Sequence, residues 1–150
     1  MSDTTDSDRS VLDAAKRWAE FFETLTPSSL DRLESLCAPE VRFRDPFNDH
    51  TGVDAVRRVF ETMFDTLEEP RFSVTRIAVD GDTAFLSWFF TFKRANSRKA
   101  WRIEGVSEVI FDETGRVTAH LDHWDASQQF YAKLPLIGAM IRFIAAKVGV

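Results

Sequence analysis

Apolar residues recur at alternating steps of four and three along the first part of the chain. One series, at Val11, Ala15, Trp18, Phe22 and Leu25, places its members on one face of a helix. Charged residues fill many of the positions between them. The pattern therefore predicts an amphipathic first helix that buries its aromatic face.

Two shorter helices are predicted after it. Thr26 before Pro27 is typical of an N-cap followed by a first-turn proline. Leucines at steps of three continue this second helix, which Pro39 is expected to end. A third helix is predicted from about 53 to 67, with Pro70 ending the segment.

Strand patterns dominate the second half of the chain. A short alternating strand over 41–45 precedes the third helix. Later runs rich in Val, Ile, Phe, Thr and Trp are separated by turn sequences such as Asp80-Gly81-Asp82. Short connections between consecutive strands predict an antiparallel meander. Its four strands are expected at residues 71–79, 83–93, 99–112 and 116–125.

These elements predict one α+β domain in which a twisted sheet wraps around the apolar helix faces. A length of 150 residues, 44% of them hydrophobic, suits a single core. We assign residues 10–126 to this domain and residues 127–150 to a C-terminal helix that packs on it. Residues 1–9 are polar, lack the apolar segment of a signal peptide, and are expected to form a disordered lead-in.

The strand over 85–92 is apolar on both of its faces. Phe85 and Phe89 share one face, and Leu86 and Trp88 lie on the other with further aromatic residues. The N-terminal helices can cover only one of these faces, so the second needs another partner. Either a homodimer forms across the outer face of the sheet or the C-terminal helix covers it, and the pattern alone leaves both open.

Charge and cysteine content exclude some classes of protein. The net charge of −5 and the lack of a Lys/Arg cluster argue against nucleic-acid binding. Cys37 is the only cysteine, and its apolar neighbours predict a buried thiol that acts as a small hydrophobe. A reducing, cytoplasmic location is the expectation that follows.

Asp45 is the first candidate for chemistry. It shares strand parity with Val41 and Phe43, which places a carboxylate on the apolar side of its strand. Such a carboxylate is suited to general acid or base work. The alternative is that Asp45, next to Pro46, only binds backbone amides in the following turn.

The last strand carries the second candidate group. His120, Asp122 and Trp124 share one parity and would face solvent if the apolar residues between them faced the core. The tryptophan argues for the opposite orientation, because an indole is poorly suited to an open face. His120 and Asp122 are close enough to orient a common water or substrate group. With Asp45 they offer a weak set of metal ligands, and no metal or other cofactor is expected.

The order of elements, the Asp45-Pro46 step, the helix start at Gly52-Val53 and the string HLDHWD at 120–125 resemble the nuclear transport factor 2-like superfamily. The SnoaL-like and ketosteroid-isomerase-like branches are the most similar. The resemblance implies a cone-shaped fold with a curved mixed or antiparallel sheet, a deep pocket, and dimers formed through the sheet. It also implies hydrophobic ligands of the polyketide, steroid or terpenoid kind.

The resemblance implies different roles for different residues. Asp45 matches the step that supplies the proton-abstracting carboxylate of the isomerases, but their phenol and carboxylic acid donors correspond to Phe21 and Ser107. A ketosteroid isomerase is therefore not expected. Asp122 matches the working carboxylate of the cyclases and of the limonene-epoxide-hydrolase branch, which puts His120, Asp122 and Trp124 inside the pocket.

An epoxide hydrolase is not expected either. That branch also needs an Arg and a second Asp on a preceding strand, and the matching stretch 84–92 has no charged residue. Arg102 and Glu104 have suitable chemistry but lie on the next strand and are expected to face outward.

The sequence therefore predicts a hydrophobic small-molecule site with or without cofactor-free acid/base chemistry. Isomerisation, cyclisation or dehydration is one possibility, and a non-catalytic binding or protein-interaction module is the other. The candidate catalytic residues are Asp122, His120 and Asp45. The candidate ligand-binding residues are Trp18, Phe21, Phe60, Phe89, Trp101, Ser107 and Trp124.

The tail from Leu134 to Val150 is apolar nearly all round, interrupted mainly by Arg142 and Lys147. An interfacial membrane helix needs a distinct polar, basic face, which this pattern lacks, and about 17 residues are marginal for a span. We expect a lid or a dimer-packing helix in preference to membrane contact.

Overall fold

The first helix, α1 (Ser2–Glu23), is longer than the apolar pattern predicts. The computed structural model of the chain describes residues 2–148, and α1 begins at the first of them. The expectation of a disordered lead-in over 1–9 is therefore wrong for residues 2–9, while Met1 lies outside the described residues.

The connection to the sheet begins with the predicted cap. Thr26 Oγ1 accepts from the backbone N–H of Ser29 at 3.2 Å, and Ser29 Oγ accepts from Thr26 N–H at 2.9 Å. A 3-10 helix, Pro27–Arg32, starts at the predicted proline and leads directly into the short helix α2 (Leu33–Leu36). Pro39 lies two residues further inside a strand, since the chain becomes extended at Cys37.

Helix α3 (Val53–Thr66) follows Gly52, whose φ of +99° is a conformation that favours glycine. The next strand begins at the residue after the helix, so Pro70 does not end the helix but lies within the strand. The pairing register shifts on either side of Glu69, which itself has a φ of +51°. Such a bulge accommodates a proline, which has no N–H to donate to the sheet.

Six strands of the described residues form one sheet. They are β1 (Cys37–Arg44), β2 (Asp49–Thr51), β3 (Leu67–Asp80), β4 (Thr83–Arg94), β5 (Ala100–Phe111) and β6 (Val117–His123). Their spatial order is β2-β1-β6-β5-β4-β3. The predicted meander β3–β6 is confirmed, whereas the hairpin partner β2 and the parallel pairing of β1 with β6 were not predicted. The fold is α+β with a mixed, open sheet.

The core fills the space between the sheet and helices α1 and α3. Its members on α1 follow the predicted series, and Ala15, Trp18 and Phe21 are at most 1% exposed. Inward-facing residues of β4, such as Ala84 and Leu86, contact this helix face from the sheet side. Burying each large apolar side chain contributes about 1.5–3 kcal/mol, so this aromatic layer fixes the helix on the sheet.

A bulge in β6 determines which of its residues face inward. Ala119 pairs with Ile110 and Val117 with Phe111, so Thr118 has no partner in β5. The extra residue reverses the alternation of faces, and Val117 and His120 are both buried although three positions apart. The parity argument from the sequence fails at this bulge, and the orientation implied by the family resemblance is confirmed.

The outer face of the sheet keeps exposed apolar residues. Phe85 is 40% and Val106 36% exposed, and Phe89 lies beneath the guanidinium of Arg102 at 4.4 Å from the ring centre. The predicted C-terminal helix is broken into α4 (Ala126–Gln129), a 3-10 helix (Tyr131–Lys133) and α5 (Pro135–Val148). Helix α5 packs mainly on that 3-10 helix and does not cover β4. A dimer across this face stays a prediction.

Between residues 2 and 148, no helix is both long and apolar enough to cross a membrane.

Cys37 is 1% exposed, and burial raises the pKa of its thiol to about 12. The prediction of a buried, hydrophobe-like thiol is confirmed. Because only the thiolate reacts with disulfide reagents, we expect no reaction of the native chain with 5,5′-dithiobis(2-nitrobenzoate) at pH 8. One equivalent should react once the chain is unfolded in guanidinium chloride. Rapid labelling of the native chain would contradict this burial.

Candidate functional site

A cavity of about 470 Å³ opens between α3, the inner face of the sheet and the segment after β6. Ten of its twenty lining residues are aromatic, which suits a flat, apolar ligand. The polar groups are few, as expected for a site that orients a mostly hydrophobic molecule. They are Asp45, Asn48, Thr62, Thr66, Arg94 and Asp122.

His120 lies beneath this cavity with both ring nitrogens occupied. Trp18 Nε1 donates to His120 Nδ1 at 3.0 Å, and His120 Nε2 lies 2.8 Å from Asp122 Oδ1. Since the indole can only donate, Nδ1 must be the acceptor and Nε2 must carry the proton. A proton on Nδ1 would make this nitrogen a donor, and it would then face the Trp18 indole N–H, which is also a donor. The network therefore fixes His120 as an acceptor at Nδ1 and as a donor to Asp122 at Nε2.

Two phenylalanines hold the faces of the same imidazole. The ring of Phe43 stacks on one side at 5.1 Å with an angle of 6°, and Phe22 stacks at 5.2 Å with an angle of 20°. The side chain of His120 is 4% exposed. Hydrogen bonds at its edge and rings on its faces together fix the position of the group that contacts Asp122.

Asp122 is held on one side and accessible on the other. Ser107, its direct partner across β5 and β6, donates from Oγ to Asp122 Oδ1 at 2.5 Å. Trp88 Nε1 in turn donates to Ser107 Oγ at 2.7 Å. Within the described residues Oδ2 accepts no hydrogen bond, and the side chain lines the cavity with 15% of its surface exposed. One carboxylate oxygen is thus anchored while the other remains available to a ligand.

Gly105 makes the position of Trp88 possible. The two residues pair directly across β4 and β5, and a Cβ on Gly105 would lie 2.6 Å from Trp88 Cζ2. A side chain there would lift the indole away from the strand and from Ser107. Neither residue was singled out as a site residue from the sequence, although a glycine inside a strand signals a close approach.

Asp45 lies in the cavity wall, but its carboxylate is already bound. Oδ1 accepts from the backbone N–H groups of Phe47 and Asn48 at 2.7 and 2.8 Å. The side-chain amide of Asn48 donates to both oxygens, at 3.1 and 3.0 Å. The turn role considered for Asp45 is the one observed, and the three donors leave it a poor candidate for proton abstraction.

The seven predicted ligand-binding residues separate into four groups. Phe60 and Trp124 line the cavity as predicted. Trp18 and Phe21 are core residues that do not line it, because α1 presents them to His120 and to each other with ring centres 5.3 Å apart. Ser107 contacts Asp122 from beneath the cavity.

The remaining two predictions are wrong in position. Trp101 lies outside the cavity lining and stacks between Phe92 and Phe130 at its rim. Phe89 faces the outer side of the sheet, because it alternates with the inward residues of β4. Arg102 and Glu104 also lie on that outer face, paired at 3.0 Å and largely exposed, as expected.

The segment after β6 closes one side of the cavity. Asp125 caps α4 by accepting from Gln128 N–H at 3.0 Å, and its hydrogen bonds from Ser127 and Gln128 lower the pKa of the carboxyl. Phe130, which was not predicted, lines the cavity and packs on Phe47. Gln129 anchors the segment to β5 through two hydrogen bonds with the backbone of Glu104.

One family model matches most of this chain. A model of the SnoaL-like domain matches residues 18–120, about two thirds of the chain. The chain belongs to the SnoaL-like family. The matched stretch includes the α1 residues beside His120 and ends at His120 itself, so the segment that closes the cavity lies beyond it. A search of curated proteins finds no match.

Solved structures share the fold of this SnoaL-like chain at low identity. A candidate SnoaL-like polyketide cyclase from Jannaschia Sp. CCS1 is 14% identical, with a TM-score of 0.70 and coverage of 86% of this chain and 96% of that one. An LEH-like epoxide hydrolase from M. tuberculosis is 13% identical, with a TM-score of 0.67 and coverage of 95% and 98%. A Catenulispora acidiphila protein with a ketosteroid isomerase-like fold is 15% identical, with a TM-score of 0.69 and coverage of 81% and 93%.

No metal site is evident among the residues that the structure describes, since no three His, Cys, Asp or Glu side chains are grouped as ligands.

Replacing Gly105 tests the contact that positions Trp88. We expect Gly105→Ala to lower the free energy of unfolding by about 1–3 kcal/mol, because the indole must move out of the way. In a Trp88→Leu background the same substitution should cost much less, since the clash is gone. Urea unfolding of the four proteins measures both costs. Equal costs in the two backgrounds would show that the indole is not the obstacle.

Replacing Asp45 tests its role in the turn. Asp45→Ala removes an acceptor for two backbone N–H groups and should lower the free energy of unfolding by about 1–2 kcal/mol. Asp45→Asn keeps one acceptor oxygen and should cost less. The measurement is the midpoint of urea unfolding, compared between proteins whose free energy of unfolding depends on urea concentration with the same slope. An unchanged midpoint for Asp45→Ala would contradict the turn role.

Proposed function

We propose that this SnoaL-like protein binds a hydrophobic small molecule of the polyketide, steroid or terpenoid kind in its aromatic cavity. We further propose that Asp122 moves a proton on that ligand without a cofactor. The reaction class is proton abstraction next to a carbonyl, leading to isomerisation, cyclisation or dehydration. The supporting observation is a carboxylate anchored through one oxygen at the base of an aromatic cavity, with the other oxygen available.

The surroundings of Asp122 support the role of base. Ser107 and His120 both bind Oδ1, so one oxygen of the carboxylate is held in place and Oδ2 is left to accept a proton. Oδ2 would take the proton from a carbon beside the carbonyl, and the electron pair left on that carbon would move onto the carbonyl oxygen. Asp122 would then return the proton to another carbon or to a leaving hydroxyl.

The developing negative charge on the ligand needs a hydrogen-bond donor. Two cavity-lining residues carry donors that make no hydrogen bond within the described residues, namely the indole of Trp124 and the guanidinium of Arg94. Their availability supports a role for them in holding the ligand's oxygen. His120 cannot serve, because both of its nitrogens are occupied.

The alternative is a binding module that performs no chemistry. The absence of a matched pair of donors like that of the isomerases favours it, since Phe21 is a core residue and Ser107 already donates to Asp122. The same fold supports both classes. A homodimer through the outer sheet face and a cytoplasmic location remain part of this proposal.

Proton exchange on a bound ketone distinguishes the two classes. With 2-tetralone in D₂O, we expect the wild type to accelerate the uptake of deuterium at the carbon beside the carbonyl. Proton NMR measures this uptake as the loss of that carbon's proton signal. Asp122→Asn should reduce the catalysed rate by about 10²–10⁴-fold, as for loss of a general base. Trp124→Phe should reduce it by about 10²-fold if its indole holds the oxyanion.

The controls separate chemistry from binding. Asp80→Asn removes the same charge from the exposed end of β3 and should leave the exchange rate unchanged. Asp122→Asn should still bind the ketone, and quenching of tryptophan fluorescence measures this binding. If the wild type binds the ketone but exchanges no proton faster than buffer does, the binding-module alternative is favoured.

A further inference from the structure

The C-terminal helix α5 turns its large apolar side chains toward solvent. At 100° per residue, these residues lie on an arc of about 140° of the helix. Their exposed fractions range from 47% to 87%, far above those of the core. They are Leu136, Ile137, Met140, Phe143, Ile144 and Val148, and we call this set the α5 apolar face.

The opposite side of α5 is attached to its own chain. Gly138 is buried so closely against Ala132 that an added Cβ would lie 2.4 Å from that residue's carbonyl oxygen. Arg142, one turn later, donates to the same carbonyl at 2.5 Å. These contacts fix the rotation of the helix, and among the described residues none of α5 lines the cavity, so the expected lid is not observed. The sequence pattern did not reveal this division, because small residues and one arginine separate the two sides. Membrane contact was not expected from that pattern, and the exposure of the apolar face is what now favours it.

Charge distinguishes this end of the chain from the rest. Residues 126–150 contain Lys133, Arg142 and Lys147 but no Asp or Glu, so they carry +3. Since the whole chain carries −5, residues 1–125 carry −8. Lys147 lies on the same arc as the apolar face, with its ammonium group 5.6 Å from the Phe143 ring centre. Its long stem allows the charge to reach a polar surface while the stem stays among apolar groups.

We propose that the α5 apolar face docks onto an anionic lipid surface. Exposed apolar side chains enter the boundary between headgroups and acyl chains, and nearby cations are attracted to anionic headgroups. The acidic remainder of the domain is repelled only within about 8–10 Å of the surface at physiological salt. A second copy of the chain fits the face less well, because a two-fold contact would bring like cations together.

The docking residues lie next to the entrance of the cavity. Phe130 lines the cavity, and along the chain only the 3-10 helix Tyr131–Lys133 and Leu134 lie between it and α5. A domain docked in this way would hold the cavity entrance close to the bilayer, where apolar ligands concentrate. The proposal itself is independent of whether Asp122 performs chemistry.

Vesicle co-sedimentation of the full chain tests the proposal. We expect the chain to bind vesicles of equal parts phosphatidylglycerol and phosphatidylcholine in about 0.1 M salt. Its affinity for vesicles of pure phosphatidylcholine should be at least tenfold lower. The double variant Met140→Ser/Phe143→Ser should lose binding. Lys133→Gln/Lys147→Gln should weaken it about 25-fold, or roughly fivefold per charge. Arg142 is left intact in these variants because it holds the helix in place.

The controls use the conservative variant Phe143→Leu, which keeps an apolar side chain and should bind like the wild type. Thermal unfolding should change little in any variant, since the altered side chains are exposed and lose only surface contacts, such as that of Lys133 with the Trp101 ring. Failure of the wild type to bind anionic vesicles would overturn the proposal, as would full binding by the double serine variant. Loss of a dimer in the serine variant by light scattering, without vesicle binding by the wild type, would assign the face to a second copy.

Discussion

A histidine can be buried in an aromatic core only when both of its ring nitrogens have partners, because each unpaired polar atom costs about 1–3 kcal/mol. His120 meets this requirement through Trp18 on one side and Asp122 on the other. The first partner comes from α1 and the second from the same strand as the histidine. The hydrogen bonds thereby tie the long helix to the sheet and orient the carboxylate at the base of the cavity.

The same requirement extends through the sheet. Asp122 is held by Ser107 of β5, and Ser107 is held by Trp88 of β4. The chain of donors and acceptors therefore crosses three neighbouring strands, and each member depends on the next for its position. Gly105 contributes by leaving room for the indole. Such a connected network gives a defined geometry to a site whose walls are otherwise apolar.

Periodicity alone predicted the order of helices and strands well, because the apolar series of α1 and the turns of the meander are local signals. It could not predict the face of β6, since the bulge at Thr118 depends on pairing with β5. Asp122 and His120 were singled out from the pattern of the last strand, and the family resemblance then implied that they face the pocket. The two alternatives for Asp45 could not be separated from the sequence, because its partner Asn48 and the turn amides become visible only in three dimensions.

Gln129 has a consequence beyond closing the cavity. Strand β6 pairs with β5 only from Val106 onward, so the first half of β5 has a free edge. The Gln129 side chain meets the N–H and the carbonyl of Glu104 on that edge, as a neighbouring strand would. An open strand edge is a template on which another chain can add a strand and begin to aggregate. The Gln129 amide thus occupies two of the backbone groups that an added strand would use, and it lies within the C-terminal segment that also shapes the cavity.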